Sequence, residues 1–262
     1  MKVSHKKIST ISAFHYLKLL LRSALFVGVL IYYILGKTEV LKNFYPLPLA
    51  VWIFFAIEMA LRLFPSRLES MGCQKQFIRN YEPIGDDIEP TNQSWRATAA
   101  VALSWIGLNS IFGILYFTSV IDVGILLLIA MFFSVCDIIC ILFFCPFQTW
   151  FMKNRCCGTC RIYNWDFAMM FTPLVFIPGW YTYSLVGLSL LILLRWEITY
   201  KLHPERFSIS TNKCLDCSRC EEKLCAHKKQ LQSFLKKYKT RFFGNKSDVK
   251  ANKSLHNDTV SR

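Results

Sequence analysis

Charged residues are scarce in this chain of 262 residues. Asp, Glu, Lys and Arg make up 18% of it, against about 25% in a soluble domain, while hydrophobic residues make up 53%. Glycine is also scarce, at 11 residues, which excludes a collagen-like sequence. The apolar excess excludes intrinsic disorder and a small disulfide-stapled secreted fold. It falls into blocks too long and too poor in charge for soluble core helices, which predicts a polytopic membrane protein.

Several catalytic motifs are also absent. The sequence contains no HExxH motif, no GxSxG motif and no glycine-rich phosphate-binding loop. The histidines are scattered and form no constellation, apart from His227, which follows a group of cysteines. The sequence therefore names no catalytic residue, and it leaves open whether the protein is an enzyme.

Six apolar blocks predict an all-α bundle of six transmembrane helices, because a hydrocarbon core of about 30 Å takes about 20 helical residues. They are Tyr16–Leu35, Tyr45–Leu63, Ala97–Phe117, Val123–Phe144, Ile162–Ile177 and Trp180–Ile198. The first block has a basic start but no small-residue cleavage site. It is therefore interpreted as a retained signal anchor, whose Lys18 and Arg22 can snorkel to the interface. The fifth block is the weakest, and five helices plus a re-entrant segment is the alternative.

The basic residues predict the orientation of these spans. With six spans, 25 of the 31 Lys and Arg residues lie in the two termini and the loops on their side, whereas the opposite loops contain only Lys37 and Lys42. Because cytoplasmic loops are enriched in Lys and Arg, both termini are expected in the cytoplasm. The expected location is multi-pass in a membrane, and in the plasma (inner) membrane if the source is bacterial.

The chain is expected to have three regions. Residues 1–198 form the bundle, residues 199–243 form a cytoplasmic cysteine-rich segment with a basic amphipathic helix, and residues 244–262 form a disordered polar tail. The helix alternates apolar residues such as Phe234 and Tyr238 with lysines, which favours binding to anionic lipid headgroups of the bilayer. A solvated tail is the alternative, and nucleic acid is an unlikely partner for a tail tethered beside a membrane.

Seven of the eleven cysteines lie in two dense groups on the predicted cytoplasmic side. The loop CCGTC contains three of them and the tail segment CLDCSRCEEKLC contains four. Disulfides are rare in the cytoplasm, so dense thiols there favour a metal site. The predicted ligands are Cys214, Cys217, Cys220, Cys225, Cys156, Cys157 and Cys160. The remaining cysteines include three near the end of the fourth span, where burial as small hydrophobic residues is expected.

The spacing of the tail cysteines leaves the metal undecided between an iron–sulfur cluster and zinc. The pattern C-x2-C-x2-C-x4-C resembles the bacterial ferredoxin run in its first three cysteines. It departs at the fourth, with one extra residue and with Ala226 in place of proline. Two C-x2-C pairs, one from each group, would instead suit a tetrahedral zinc site. S-palmitoylation of Cys156 and Cys157 and a thiol-based redox or heavy-metal sensor are further alternatives.

Four ionisable residues in or beside the predicted spans are candidate functional residues, because charge inside a membrane is costly. Glu58 and Arg62 are four residues apart on one helix and are expected to pair with each other. Asp137 needs a proton or a cation, and either an ion path or contact with Arg62 is a possible role. Asp166 suits a helix N-terminus.

Two functional hypotheses follow from these features. The first is a membrane protein with a cytoplasmic metal–cysteine centre, acting as a redox or electron-transfer component that passes electrons to a membrane partner. The alternative is a small transporter or membrane assembly factor with a structural zinc knuckle. In that case, Asp137, Glu58 and Arg62 carry the activity.

Overall fold

The structure is a computed structural model that describes residues 10–36, 46–64, 75–85, 88–91, 94–153 and 157–216. Every regular element in these ranges is helical, which confirms the all-α prediction. The six α-helices are α1 (Thr10–Ile34), α2 (Pro46–Leu63), α3 (Trp95–Phe117), α4 (Val123–Leu142), α5 (Asp166–Phe171) and α6 (Trp180–Leu202). A π-helical turn, Phe147–Phe151, follows α4.

The predicted fifth span is not one regular helix. Residues 161–176, here named the interrupted helix, consist of a 3₁₀ turn (Arg161–Trp165), α5 and a second 3₁₀ turn (Thr172–Phe176). Proline at position 173 lacks a backbone N–H, so a regular helix cannot continue through it unchanged. A Pro-Gly turn at 178–179 then precedes α6, at the place where the sequence predicts a break.

Ring and ion-pair contacts locate the two ends of the interrupted helix. Arg161 pairs with Glu197 near the end of α6, whereas the ring of Phe176 lies 6.0 Å from that of Phe117 at the end of α3. The segment therefore runs antiparallel to α6, along the length of the bundle. This hairpin returns the chain after α6 to the end of the bundle from which residue 161 starts.

Three described helices are long and apolar enough to cross a membrane: α1 within Ala13–Ile34, α3 and α4. Much of their apolar surface points outward, as at Leu20, Leu103 and Ile114, each more than 60% exposed. Soluble monomers rarely expose apolar surface on this scale, so these helices suit a lipid environment. Membrane character is thus supported, while the count of six spans stays a prediction.

The core is formed by α2, α5 and α6, with α4 closing one side. Phe55 of α2 and Phe171 of α5 are both fully buried, with ring centroids 5.1 Å apart. Trp196 of α6 continues the cluster toward Phe77, at a ring distance of 5.1 Å. Aromatic edge-to-face pairs of this kind add to the stabilisation from burial. They hold the interrupted helix in the centre of the bundle.

Loop residues 75–85 and 88–91 pack against residues 203–216 at one end of the bundle, and these residues are here named the cap. The backbone N–H of Lys213 donates to the carbonyl of Glu82 at 2.8 Å, and that of Ile84 donates to Thr211 at 3.2 Å. Phe207 of the cap is buried against Trp196. The cap thus joins the loop after α2 to the chain after α6.

Candidate functional site

Four charged side chains from three helices form a buried network near the cap end of the bundle. Glu58 of α2 pairs with Lys18 Nζ at 3.2 Å and with Arg22 Nη2 at 2.5 Å. Arg22 Nη1 pairs with Asp137 Oδ2 of α4 at 2.9 Å and donates to the carbonyl of Ser134 at 2.8 Å. The network holds two cations and two anions, so its formal charge is zero.

This network corrects two predictions. Lys18 and Arg22 do not extend to an interface, since they are 5% and 2% exposed inside the bundle. Glu58 pairs with α1 rather than with Arg62, and the cation that meets Asp137 is Arg22. The physical reason is distance between elements: α1 packs against α4, so its basic face reaches both carboxylates. The planar guanidinium of Arg22 binds two carboxylates at once, those of Glu58 and Asp137. Arg62, on the same helix as Glu58, pairs instead with Asp166.

Arg62, one helical turn after Glu58 on α2, belongs to a second buried network. Its Nη2 pairs with Asp166 Oδ2 at 2.6 Å, and its Nη1 donates to Asn164 Oδ1 at 3.4 Å. Asp166 begins α5, as the sequence predicts, and its Oδ1 accepts from the N–H of Phe167 at 2.9 Å. One carboxylate therefore binds both a helix N-terminus and an arginine from another helix.

The second network continues to the CCGTC loop. Asn164 Nδ2 donates to Gln76 Oε1 at 2.9 Å, and Gln76 Nε2 donates to the carbonyl of Gly158 at 2.8 Å. Gln76 is fully buried and Asn164 is 2% exposed, so both amides have exchanged water for these partners. Leaving either group unsatisfied costs about 1–3 kcal/mol, which makes the chain of bonds a strong positional constraint.

The residue before Gln76 fixes the start of the second cysteine segment. The carbonyl of Lys75 accepts from Asn212 Nδ2 at 3.1 Å, and Asn212 Oδ1 accepts from the N–H of Cys214 at 3.1 Å. Asn212 is fully buried and also donates to the carbonyl of Arg206 at 2.9 Å. Two consecutive residues, Lys75 and Gln76, thus hold the CCGTC loop on one side and the chain at Cys214 on the other.

The structure describes the side chains of only two of the seven predicted metal ligands. Cys160 is 4% exposed and packs with Val101 and Ile162, and Cys214 is half-buried in the cap. Cys157 begins a 3₁₀ turn, and its side chain lies outside what is described. The other four predicted ligands, Cys156, Cys217, Cys220 and Cys225, lie outside the described residues. Within the described ranges no group of three His, Cys, Asp or Glu side chains is arranged to hold a metal ion.

A cavity of about 290 Å³ lies between α3, α4, the π-helical turn and the interrupted helix. Its wall is almost entirely apolar and includes the aromatic rings of Trp105, Phe133 and Phe147. Two carboxylates, Asp137 and Asp166, lie on this wall, and each belongs to one of the two buried networks.

The cavity wall is also rich in sulfur. Six sulfur-containing residues line it, namely Cys136, Cys140, Cys145, Cys160, Met169 and Met170. The N–H of Gln148 donates to the sulfur of Cys145 at 3.4 Å. Cys136, Cys140 and Cys145, which the sequence predicts to be buried as small hydrophobic residues, are each half-buried on this wall.

Sequence reasoning missed several residues of these networks. The spacing of Lys18 and Arg22, one helical turn apart in an apolar run, was an available signal that both face one partner. Neither Gln76 nor Asn164 carries such a signal, because isolated amides in loops are ordinary. The pair between Arg161 and Glu197, at 2.6 Å, was missed because its partners come from separate elements.

No protein-family model matches the chain, and no curated protein or solved structure is significantly similar to it.

Proposed function

We propose that this chain is a six-span integral membrane protein with a thiolate metal centre at its cytoplasmic end. In this proposal the CCGTC loop and the tail cysteines supply the ligands of one centre. The protein acts through that centre as a membrane redox or electron-transfer component. The observation that carries it is the tie through Lys75 and Gln76. This tie bonds to Gly158 within one cysteine group and to Asn212 beside the other.

The tie supports a shared centre because it is short. The Cα atoms of Lys75 and Gln76 are about 3.8 Å apart. Gln76 binds the CCGTC loop and Lys75 binds Asn212, so the two cysteine segments are held close to each other. The sequence separates Cys160 from Cys214 by more than fifty residues, and the hairpin of the interrupted helix and α6 removes that separation. The tail segment also follows Asn212, which is fully buried and hydrogen-bonded, and this limits the entropy lost when its ligands are gathered.

The donor chemistry fits a soft or borderline metal. Cysteine thiolates are the ligands of structural zinc and of iron–sulfur clusters, and pairs spaced C-x2-C occur in both. Cys157 with Cys160, and Cys217 with Cys220, would supply four thiolates, one pair from each cysteine group. The remaining tail cysteines would complete a second site or replace members of the first.

Metal analysis tests this proposal. Protein purified anaerobically in detergent is expected to hold iron with acid-labile sulfide, and to absorb near ~400 nm, because thiolate-held clusters have these properties. Joint replacement of Cys214 and Cys217 by Ser is expected to remove the metal. Cys136→Ser, on α4 and outside the proposed ligand set, is the matched control and should retain it.

Three results would count against parts of the proposal. Colourless protein with stoichiometric zinc would overturn the redox role but keep the centre. Retention of metal after the double replacement would overturn the ligand assignment. Protein without any bound metal after anaerobic purification would overturn the centre itself.

A second candidate function is a small transporter or membrane assembly factor in which a zinc knuckle is structural. The cavity favours this candidate, since Asp137 and Asp166 lie on its wall between helices suited to a membrane. Intramembrane carboxylates that face a cavity commonly mark a path for substrates or ions. Under either candidate, the basic tail is proposed to bind anionic headgroups of the bilayer.

A further inference from the structure

Asp137, on the wall of the cavity between α3 and α4, has unused hydrogen-bonding capacity. Among the described residues, the hydrogen-bond partner of the Asp137 side chain is Arg22, which uses Oδ2. The side chain of Asp137 keeps 14% of its surface exposed and lies on the cavity wall. Its other oxygen can therefore accept a hydrogen bond from a molecule in the cavity.

The charge balance around the cavity selects an uncharged occupant. Asp137 is neutralised by Arg22 at 2.9 Å and Asp166 by Arg62 at 2.6 Å. A charged ligand would add an unbalanced charge to an apolar site, where desolvation is expensive. A neutral hydroxyl or N–H group can donate to Asp137 without that penalty.

The mouth of the cavity and its wall indicate where the ligand comes from and what shape it has. Leu108 and Phe132 line the cavity and are 37% and 51% exposed on the outer surfaces of α3 and α4. Both helices are suited to a membrane, so a molecule entering beside these residues comes from the lipid phase. The rings of Trp105 and Phe133, 4.9 Å apart, offer an aromatic surface for a flat ligand.

We propose that this cavity binds a neutral, lipid-soluble aromatic molecule that carries a hydroxyl group, with Asp137 accepting the hydrogen bond of that hydroxyl. The volume of about 290 Å³ is just below the range for small-molecule sites, about 300–1,000 Å³, so the bound part is small. This inference goes beyond the metal centre and does not depend on it.

Photolabelling of the full-length protein in lipid nanodiscs tests the site. The probes are a diazirine-bearing 4-alkylphenol and its methyl ether, which differ in the hydrogen-bond donor. The phenol is expected to label the cavity-lining residues of α3 and α4 saturably. Its half-saturating concentration should be at least about tenfold lower than that of the ether. Absence of saturable labelling at these walls, or equal labelling by both probes, would overturn the proposal.

Two variants separate the cavity from the hydrogen bond. Leu108→Trp fills the mouth of the cavity and should abolish labelling by both probes. Leu103→Trp, on an outward part of α3 that is 69% exposed, is the matched control and should change neither. Persistent labelling in the Leu108→Trp variant would show that the probes bind elsewhere, and would overturn the proposal.

The role of Asp137 is tested with its ionic partner removed as well, so that no buried charge is left alone. The double variant Arg22→Met with Asp137→Leu should lose the preference for phenol over ether while keeping saturable labelling by both. A retained tenfold preference would contradict the role of Asp137. Metal content, measured in the same samples, should stay at its wild-type value, which separates this test from that of the metal centre.

Discussion

Removing Arg22 should destabilise the bundle more than any change to an exposed cation. Arg22 is 2% exposed, and its guanidinium contacts Glu58 at 2.5 Å, Asp137 at 2.9 Å and the carbonyl of Ser134 at 2.8 Å. Arg22→Met keeps most of the apolar volume but removes the charge. The network then has two buried carboxylates and a single cation, Lys18. Breaking a buried pair in this way costs about 3–5 kcal/mol.

The assay is equilibrium unfolding in mixed micelles, followed by circular dichroism. For a protein of this size, 3–5 kcal/mol corresponds to a fall in Tm of about 10 °C. Lys201→Met removes an exposed cation at the end of α6 and is the matched control, expected to leave Tm nearly unchanged.

A compensating variant identifies charge as the cause. Arg22→Met combined with Asp137→Leu leaves only the pair of Lys18 and Glu58, which balances to zero. Neutral, well-packed replacements of buried ion pairs are often no less stable than the originals. The double variant should therefore recover at least about half of the lost stability. Wild-type stability of Arg22→Met, or a double variant no more stable than the single one, would refute this role of charge.

Three further predictions concern packing, an ion pair and topology. A Cβ atom at Gly113 would lie 2.6 Å from the ring of Phe176, whereas a Cβ atom at Gly107 would have nothing within 4 Å. The free energy of unfolding of Gly113→Ala should therefore be lower than that of Gly107→Ala by at least about 1 kcal/mol. Equal stability in a thermal unfolding assay would refute that packing. Glu197→Gln should weaken the hydrogen bond that Trp165 Nε1 donates to Glu197 Oε1 at 2.7 Å. It should lower Tm by less than Arg22→Met does, and a larger fall in Tm would contradict this prediction. A membrane-impermeant thiol reagent should not label the tail cysteines in intact cells, and labelling would refute the six-span orientation.

The sequence was sufficient for the elements whose signal is local. The runs of apolar residues predict α3 and α4 to within two residues at each end, because hydrophobic length and helix length coincide in a membrane span. The turn at 178–179 and the helix start at Asp166 are also local, since each depends on neighbours along the chain.

The sequence was insufficient wherever partners come from different elements. Glu58 and Arg62 are adjacent on α2, and local spacing predicts that they pair; in the structure each binds a charge from another segment. The interrupted helix is a second case. Its apolar content resembles a weak span, while Pro173 and the buried partners of its polar residues produce 3₁₀ turns on both sides of α5. Only the packing of the bundle determines those contacts.

The cysteine tie shows a third kind of limit. Gln76 is a single amide in a loop, and nothing in its surroundings along the chain predicts full burial. Its importance comes from Gly158 and Asn164, more than eighty positions away. A pattern of cysteines can predict metal chemistry from residue type and spacing, but it does not reveal the amide that positions them.

The most direct test of the central claim is the amount of metal bound per chain in a variant that removes the tie but no thiol. Gln76→Leu eliminates the bonds to Gly158 and Asn164, whereas Thr91→Val removes a cap bond to Ser208 that does not join the cysteine segments. Both are to be measured on folded, monodisperse protein purified anaerobically. If the two cysteine segments share one centre, Gln76→Leu will hold much less metal per chain than Thr91→Val, which will match the wild type. Equal metal content in all three proteins would contradict the account.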